Sequence, residues 1–130
     1  MLRLLRHGLR RLIAARRRHL EATLAPDRHA YRRARTLLRR HLSPAQRREY
    51  ERYGAFTVVG PSGRRYRIGY GACINIEVLS RAGTVEYRLC AGPSGVPIPA
   101  VMLAQKLMLE AQEAAFLQIA IKHPASPHAF

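Results

Sequence analysis

Between Ala55 and Cys90 the chain alternates apolar and polar residues in four short runs separated by turn formers. Successive side chains of a strand point to opposite faces, so such runs can bury only one face. The segment is therefore expected to form an antiparallel meander with one apolar and one polar face. In the first hairpin, Pro61 suits position i+1 of a type I turn and Gly63 suits the left-handed residue that follows. The resulting three-residue loop pairs Gly60 with Arg64. Val58 then faces Tyr66, and Phe56 faces Ile68. Thr57, Val59, Arg65 and Arg67 share the other face.

The second hairpin spans Cys73–Leu79 and Thr84–Cys90 around Ser80-Arg81-Ala82-Gly83. Setting Ser80 opposite Gly83 pairs Val78 with Val85, Ile76 with Tyr87 and Ile74 with Leu89. Asn75, Glu77, Glu86 and Arg88 take the other face, with Glu77 opposite Glu86 and Cys73 opposite Cys90. A one-residue slip would place Ile76 against Arg88 and Val78 against Glu86, which argues for this register. The polar face then carries Arg65, Arg67, Asn75 and Arg88, with Arg64 and Tyr70 at its edges. Tyr66 and Tyr87 point to the core.

The flanks read as helices. Ser43 is an N-cap, Pro44 sits at N1, Gln46 completes a capping box and Gly54 suits a left-handed end. Before it, Asp27 can cap a helix running to about Leu42. Ala30, Tyr31, Ala34, Leu37, Leu38 and His41 form one stripe, and Arg28, Arg32, Arg33, Arg35, Arg39 and Arg40 cover the rest. After the turn-rich loop Ala91–Pro99, a helix is expected from Ala100 to Ile121. Its core stripe is Ala104, Leu107, Met108, Ala111, Ala115 and Ile119, widened by Leu103, Phe116 and Leu117. Gln105, Lys106, Glu110, Gln112, Glu113 and Gln118 are expected to face water. His123 to Phe130, with two prolines, reads as a frayed tail.

Charge is the second constraint. The formal net charge is +15 over 130 residues, and residues 1–53 carry +12 of it. All but two of the basic residues are arginine, which suits bidentate phosphate contact. Residues 1–24 space Leu2, Leu5, Leu9, Leu12, Ile13, Leu20 and Leu24 near helical periodicity among arginines. That pattern fits a helix packed on the domain or a second copy, a basic arm for a polyanion, or a membrane-surface or targeting helix. No apolar run is long enough to span a bilayer.

Chemistry-bearing patterns are missing. The six histidines never stand three or four apart, and neither Cys73 nor Cys90 lies in a CxxC. The loop Gly92-Pro93-Ser94-Gly95 lacks the Gly-Lys-Ser/Thr ending of a phosphate-binding loop. No pair of carboxylates reads as acid and base, and Cys90 has no base partner. The reading is no enzyme, no cofactor and no metal, in a cytoplasmic protein. The cross-strand position of Cys73 and Cys90 permits a bridge, but cytosolic thiols normally stay reduced, and two free, partly buried cysteines are expected.

Several runs carry a resemblance: Leu42-Ser43-Pro44-Ala45-Gln46-Arg47-Arg48 with Tyr50-Glu51, Gly63-Arg64-Arg65-Tyr66-Arg67-Ile68, Leu89-Cys90, and Val101-Met102-Leu103-Ala104-Gln105-Lys106-Leu107. Together they resemble a family of small uncharacterised bacterial and phage proteins over about three-fifths of the chain. Ala91-Gly92 departs from the His-Pro-like pair after Leu-Cys in that family, which argues further against a metal role for Cys90. The resemblance implies a boundary near residue 42 and a variable basic arm. It implies no activity.

The expectation is thus an α+β protein: basic N-terminal helices, a four-stranded antiparallel meander, and a long C-terminal helix packed on one sheet face. Residues 1–42 form a basic helical arm, 43–122 the α+β domain and 123–130 a flexible tail. The function expected is non-enzymatic nucleic-acid binding, RNA ahead of DNA, through phosphate contacts. Arg16, Arg17, Arg18, Arg32, Arg33, Arg39, Arg40, Arg64, Arg65 and Arg67 are the candidates. The alternative is a protein–protein or self-assembly module whose basic arm docks on a partner or an anionic membrane surface.

Overall fold

The structure, a computed structural model, describes residues 28–125 together with Arg11 and Ile13. Among these residues, helix α1 (Arg28–His41) and helix α2 (Pro44–Tyr53) precede strands β1 (Phe56–Val59), β2 (Arg65–Ile68), β3 (Ile76–Leu79) and β4 (Val85–Cys90). Helices α3 (Ile98–Ala111) and α4 (Glu113–Ile119) follow, and strand β5 (Ile121–Pro124) closes the order. The five strands form one antiparallel sheet in sequence order. The protein is α+β. Two expectations about the element order are corrected: the sheet has five strands, and the C-terminal helix is broken at Gln112, where φ is −139° and ψ 50°. Ile121–Pro124 pairs with β4 instead of fraying: α4 ends at Ala120, whose backbone is extended (φ −72°, ψ 139°) and leads straight into the strand.

The first hairpin has the expected register. Val58 pairs with Tyr66 and Phe56 with Ile68, and Gly60 N–H donates to Arg64 O at 2.9 Å. The second hairpin differs. It uses the same three-residue loop, with Ser80 N–H donating to Thr84 O at 2.8 Å. Gly63 and Gly83 occupy matching left-handed positions, φ 85° and 84°. Leu79 then pairs with Val85, and a bulge restores the apolar face by setting Val78 opposite Tyr87 and Ile76 opposite Leu89. Glu77 consequently lies opposite Arg88, not Glu86. Cys73 is outside the ladder, in the loop after β2, while Cys90 pairs with Ile121.

One sheet face holds Phe56, Val58, Tyr66, Ile68, Ile76, Val78 and Leu89, all fully buried. Helix α3 lies on it over β1 and β2, and α1 packs against α3. Leu38 of α1 is fully buried and Leu42 nearly so, so the second basic helix is packed into the domain. Leu37 and His41, expected on its apolar stripe, are exposed. The buried side of α3 is rotated from the expected stripe. Ile98, Val101, Met102, Leu103, Gln105, Lys106 and Leu109 are buried, whereas Leu107, Ala111, Ala115 and Ile119 are exposed. Gln105 is accommodated because its side-chain amide exchanges hydrogen bonds with that of Asn75 at 2.8 and 2.9 Å and donates to Ala91 O at 2.8 Å. Lys106 is tied to Glu110 one turn on. Asn75 therefore belongs to the helix side, not the polar face.

The sheet's edges are blunted. Helix α2 lies along β1: its Gln46 donates to the Thr57 carbonyl at 2.9 Å and Glu49 accepts from the Thr57 hydroxyl at 3.0 Å. The capping box at Ser43 and the left-handed Gly54, φ 69°, set the ends of α2 as expected. The other edge, β5, carries Lys122 and Pro124, which discourage pairing with another chain.

Glu113, the first residue of α4, is only 7% exposed, against the expectation of a wet face. Its carboxylate accepts from Tyr66 OH at 2.6 Å, Ser62 Oγ at 2.8 Å and Ser62 N–H at 2.9 Å. Burial alone would raise its pKa. The Tyr66 bond, the two Ser62 bonds and the charge of Arg64 outweigh that and hold the carboxyl below its ordinary value. The Tyr66 hydroxyl is pushed up, by burial first and then by Glu113. Gly60 has no room for a Cβ, since the Glu113 carboxylate fills that space.

Two outcomes are expected. Because the folded pKa of Glu113 is depressed, its contribution is complete above the unfolded value near 4.5 and is lost as pH falls through the folded value. Urea unfolding of the wild type should thus lose stability below about pH 4.5, while Glu113→Gln should be weaker at neutral pH and flatter in acid. Gly60→Ala should cost about 2 kcal/mol or more, and most of that cost should vanish in a Glu113→Ala background, as read by a double-mutant cycle.

Candidate nucleic-acid interface

The candidate arginines fall into two groups that do not share a face. Arg32, Arg33, Arg39 and Arg40 stand on α1, on the helix side of the sheet; Arg65 and Arg67 stand on the opposite sheet face. Arg16, Arg17 and Arg18 lie outside the described residues.

Helix α1 holds six arginines and no acid. Tyr31, Ala34 and Leu38 face inward, three and four residues apart, so the remaining positions sweep a broad solvent arc. Arg28, Arg32, Arg33, Arg35 and Arg40 are exposed there. None of the five makes an ion pair with any described residue. Arg39 differs: it is half-buried and paired with Glu51 of α2, and its carbonyl accepts from Arg47 at 3.0 Å. It fastens α2 to α1.

The sheet arginines are occupied internally. Arg67 bonds Glu77 at 2.8 Å, and Arg88 approaches the other oxygen of the same carboxylate at 3.8 Å. Arg65 donates to the carbonyls of Ser80 and Arg81 at 3.2 and 3.4 Å. Arg64 donates to Tyr87 OH at 2.9 Å. This face also shows Val59, 55% exposed, and Leu79. Tyr70 is not on it: its hydroxyl lies 3.1 Å from that of Tyr31 on α1, and its ring packs on the core. Among the described residues this face carries no Tyr or Phe ring; its aromatic side chain is His123 on β5, opposite Arg88.

A shallow groove of about 750 Å³ runs between the two hairpin turns and α4, bordered by Ser62, Arg64, Arg65, Arg81, Glu86 and Glu113. Its three arginines share the lining with two carboxylates, so it is not a cradle for a polyanion. Among the described residues no group of three or more His, Cys, Asp or Glu is placed to hold a metal ion, and no helix is long and apolar enough to cross a membrane.

At the far end of the sheet, Cys73 and Cys90 bring their sulfurs to 2.8 Å as free thiols. The hydrogen bond to Cys90 is the main cause raising the Cys73 pKa, followed by partial burial. The sequence reading expected the two cysteines to meet across a ladder; they meet through a loop.

Sequence reasoning missed the Glu113 cluster and the Gln105–Asn75 amide pair. Both place a polar residue at a position that helical spacing alone assigns to solvent. The equal spacing of Gly63 and Gly83 within their turns was a usable signal for the second loop.

No family model, curated protein or solved structure matches this chain.

Proposed function

We propose that this protein binds nucleic acid through α1, making phosphate contacts with little base selectivity. The observation that carries this reading is the solvent arc of Arg28, Arg32, Arg33, Arg35 and Arg40: five exposed guanidiniums on one rigid helix, without a neutralising acid on that helix. Like charges at helical spacing repel, and an anionic partner relieves that repulsion. Fourteen residues of helix extend about 21 Å, long enough to follow several phosphates. Packing of Leu38 into the core fixes the helix, so its arginines are presented without the cost of folding on binding.

This reading narrows the candidate set. Arg32, Arg33 and Arg40 stay in it, joined by Arg28 and Arg35. Arg39, Arg64, Arg65 and Arg67 serve the fold first, because binding phosphate would cost each an existing bond. Arg16, Arg17 and Arg18 would extend the same basic character. Single strands and duplexes of RNA are the expected ligands ahead of DNA, with salt-dependent affinity.

Leu37, 48% exposed beside these arginines, supports the second reading, a protein partner docked on α1. Leu38 is buried and cannot serve it.

The triple variant Arg32→Glu, Arg33→Glu, Arg40→Glu should fold normally and lose at least about tenfold in affinity for a short RNA. The slope of log K against log salt should shrink by about 2. Arg65→Gln with Arg67→Gln should bind as wild type. Unchanged binding by the triple variant sinks the proposal; loss of a protein partner in Leu37→Ser, with RNA binding absent throughout, installs the second reading.

A further inference from the structure

We infer that Cys73 and Cys90 form a reversible redox pair, joined by a disulfide when a small-molecule disulfide is present and free otherwise. At 2.8 Å the sulfurs need to close by less than about 1 Å to reach bonding separation. They are seventeen residues apart in sequence, so the fold and not local chain geometry brings them together.

The surroundings hold them there. Cys73 lies in the loop 69–75 between β2 and β3, and four contacts hold that loop, two within it and two to helices. Asn75 bonds Gln105 and the Gly69 carbonyl, the latter at 3.0 Å. Gly69 N–H donates to Asn75 O at 2.7 Å. Tyr70 meets Tyr31 of α1. Ile74, next to Cys73, is the one non-glycine among the described residues with a positive φ, 51°. A β-branched residue in that region is strained, and the surrounding bonds over-determine it. The backbone is thus held in a costly shape directly beside the thiol that it presents. Cys90 is fixed from the other side as a member of the β4–β5 ladder, opposite Ile121.

Accessibility differs between the two. Cys73 is exposed and Cys90 half-buried, so an incoming disulfide meets Cys73 first. The Cys73 thiolate attacks one sulfur of the reagent, giving a mixed disulfide and releasing one small thiol. Cys90 then attacks the Cys73 sulfur and releases the second. Two S–H bonds break and one S–S bond forms in the protein; the two electrons and two protons leave on the two small thiols. Attack by Cys90 is effectively intramolecular, so the mixed disulfide should not accumulate.

The bridge would fasten loop 69–75, which carries Tyr70 against α1, to the end of β4. It would therefore stiffen the seat of the basic helix. This inference does not depend on what α1 binds.

The test is incubation of the purified full chain with oxidised glutathione, followed by intact mass, thiol titration after denaturation, and thermal unfolding. The expected product is a monomer lighter by two hydrogens, with both thiols lost together. Its Tm should rise by about 5 °C or more, and dithiothreitol should reverse every change. Cys73→Ser should instead leave Cys90 free or singly glutathionylated, with no rise in Tm. Persistence of two free thiols, stable mixed disulfides, or disulfide-linked dimers in place of the internal bridge would overturn the inference.

Discussion

A buried carboxylate organises this fold. Glu113 gathers the Tyr66 hydroxyl and both Ser62 donors, and so binds the helical C-terminal half to the tip of the first hairpin. A buried charge is tolerated only when its lone pairs are satisfied, and here three donors do so. The requirement propagates. The C-terminal helix must break at Gln112 so that α4 starts with Glu113 in place. Gly60 must lack a side chain to leave the carboxylate room. Helix α4 then ends at the extended Ala120, and the chain returns as β5 against β4. At the opposite end of the sheet, the Gln105–Asn75 amide pair performs the matching task, pinning α3 to the loop after β2. Between these two polar clasps lies a cluster of buried apolar side chains.

With the inner face so fixed, charge sorts itself by location. The sheet arginines Arg64, Arg65 and Arg67 are engaged by the protein's own acceptors: the Tyr87 hydroxyl, the Ser80 and Arg81 carbonyls, and Glu77. Arginines on the solvent side of α1 are not. Net charge alone does not separate these classes, since a guanidinium bound to a carboxylate and one facing water count equally. Their difference in satisfaction is what concentrates the proposed phosphate contacts on α1. Ion pairs as exposed as that of Arg67 are worth at most about 1 kcal/mol, so the sheet arginines contribute modestly to the fold while being occupied.

Much of the architecture was legible in the sequence because short-range chemistry dictated it. Pro61 and Gly63 fixed the first turn and hence its register, and Ser43, Pro44 and Gln46 fixed the start of α2. The second hairpin was misread because its loop needed the same length as the first plus a bulge at Glu86. A bulge shifts the register by one residue without any composition signal of its own. The α3 phase was misread for a different reason. With apolar residues nearly all round the helix, polarity was the only guide, and it fails when Gln105 and Glu113 are buried with partners from distant parts of the chain, and Lys106 with one a turn away. Those partners, Asn75, Ala91 and Tyr66, cannot be inferred from helical spacing. The candidate site was half legible: the arginines of α1 were named, but which arginines were already engaged became visible only with Glu51 and Glu77 in place.

The most direct test of the central claim is a residue-resolved titration. Amide and arginine side-chain NMR signals of the full chain would be followed as a short RNA is added at low salt. The account predicts the largest shifts at Arg28, Arg32, Arg33, Arg35 and Arg40, fading as salt is raised, with Arg65, Arg67 and Arg88 nearly still. Shifts centred on the sheet face, or none on α1, would contradict it.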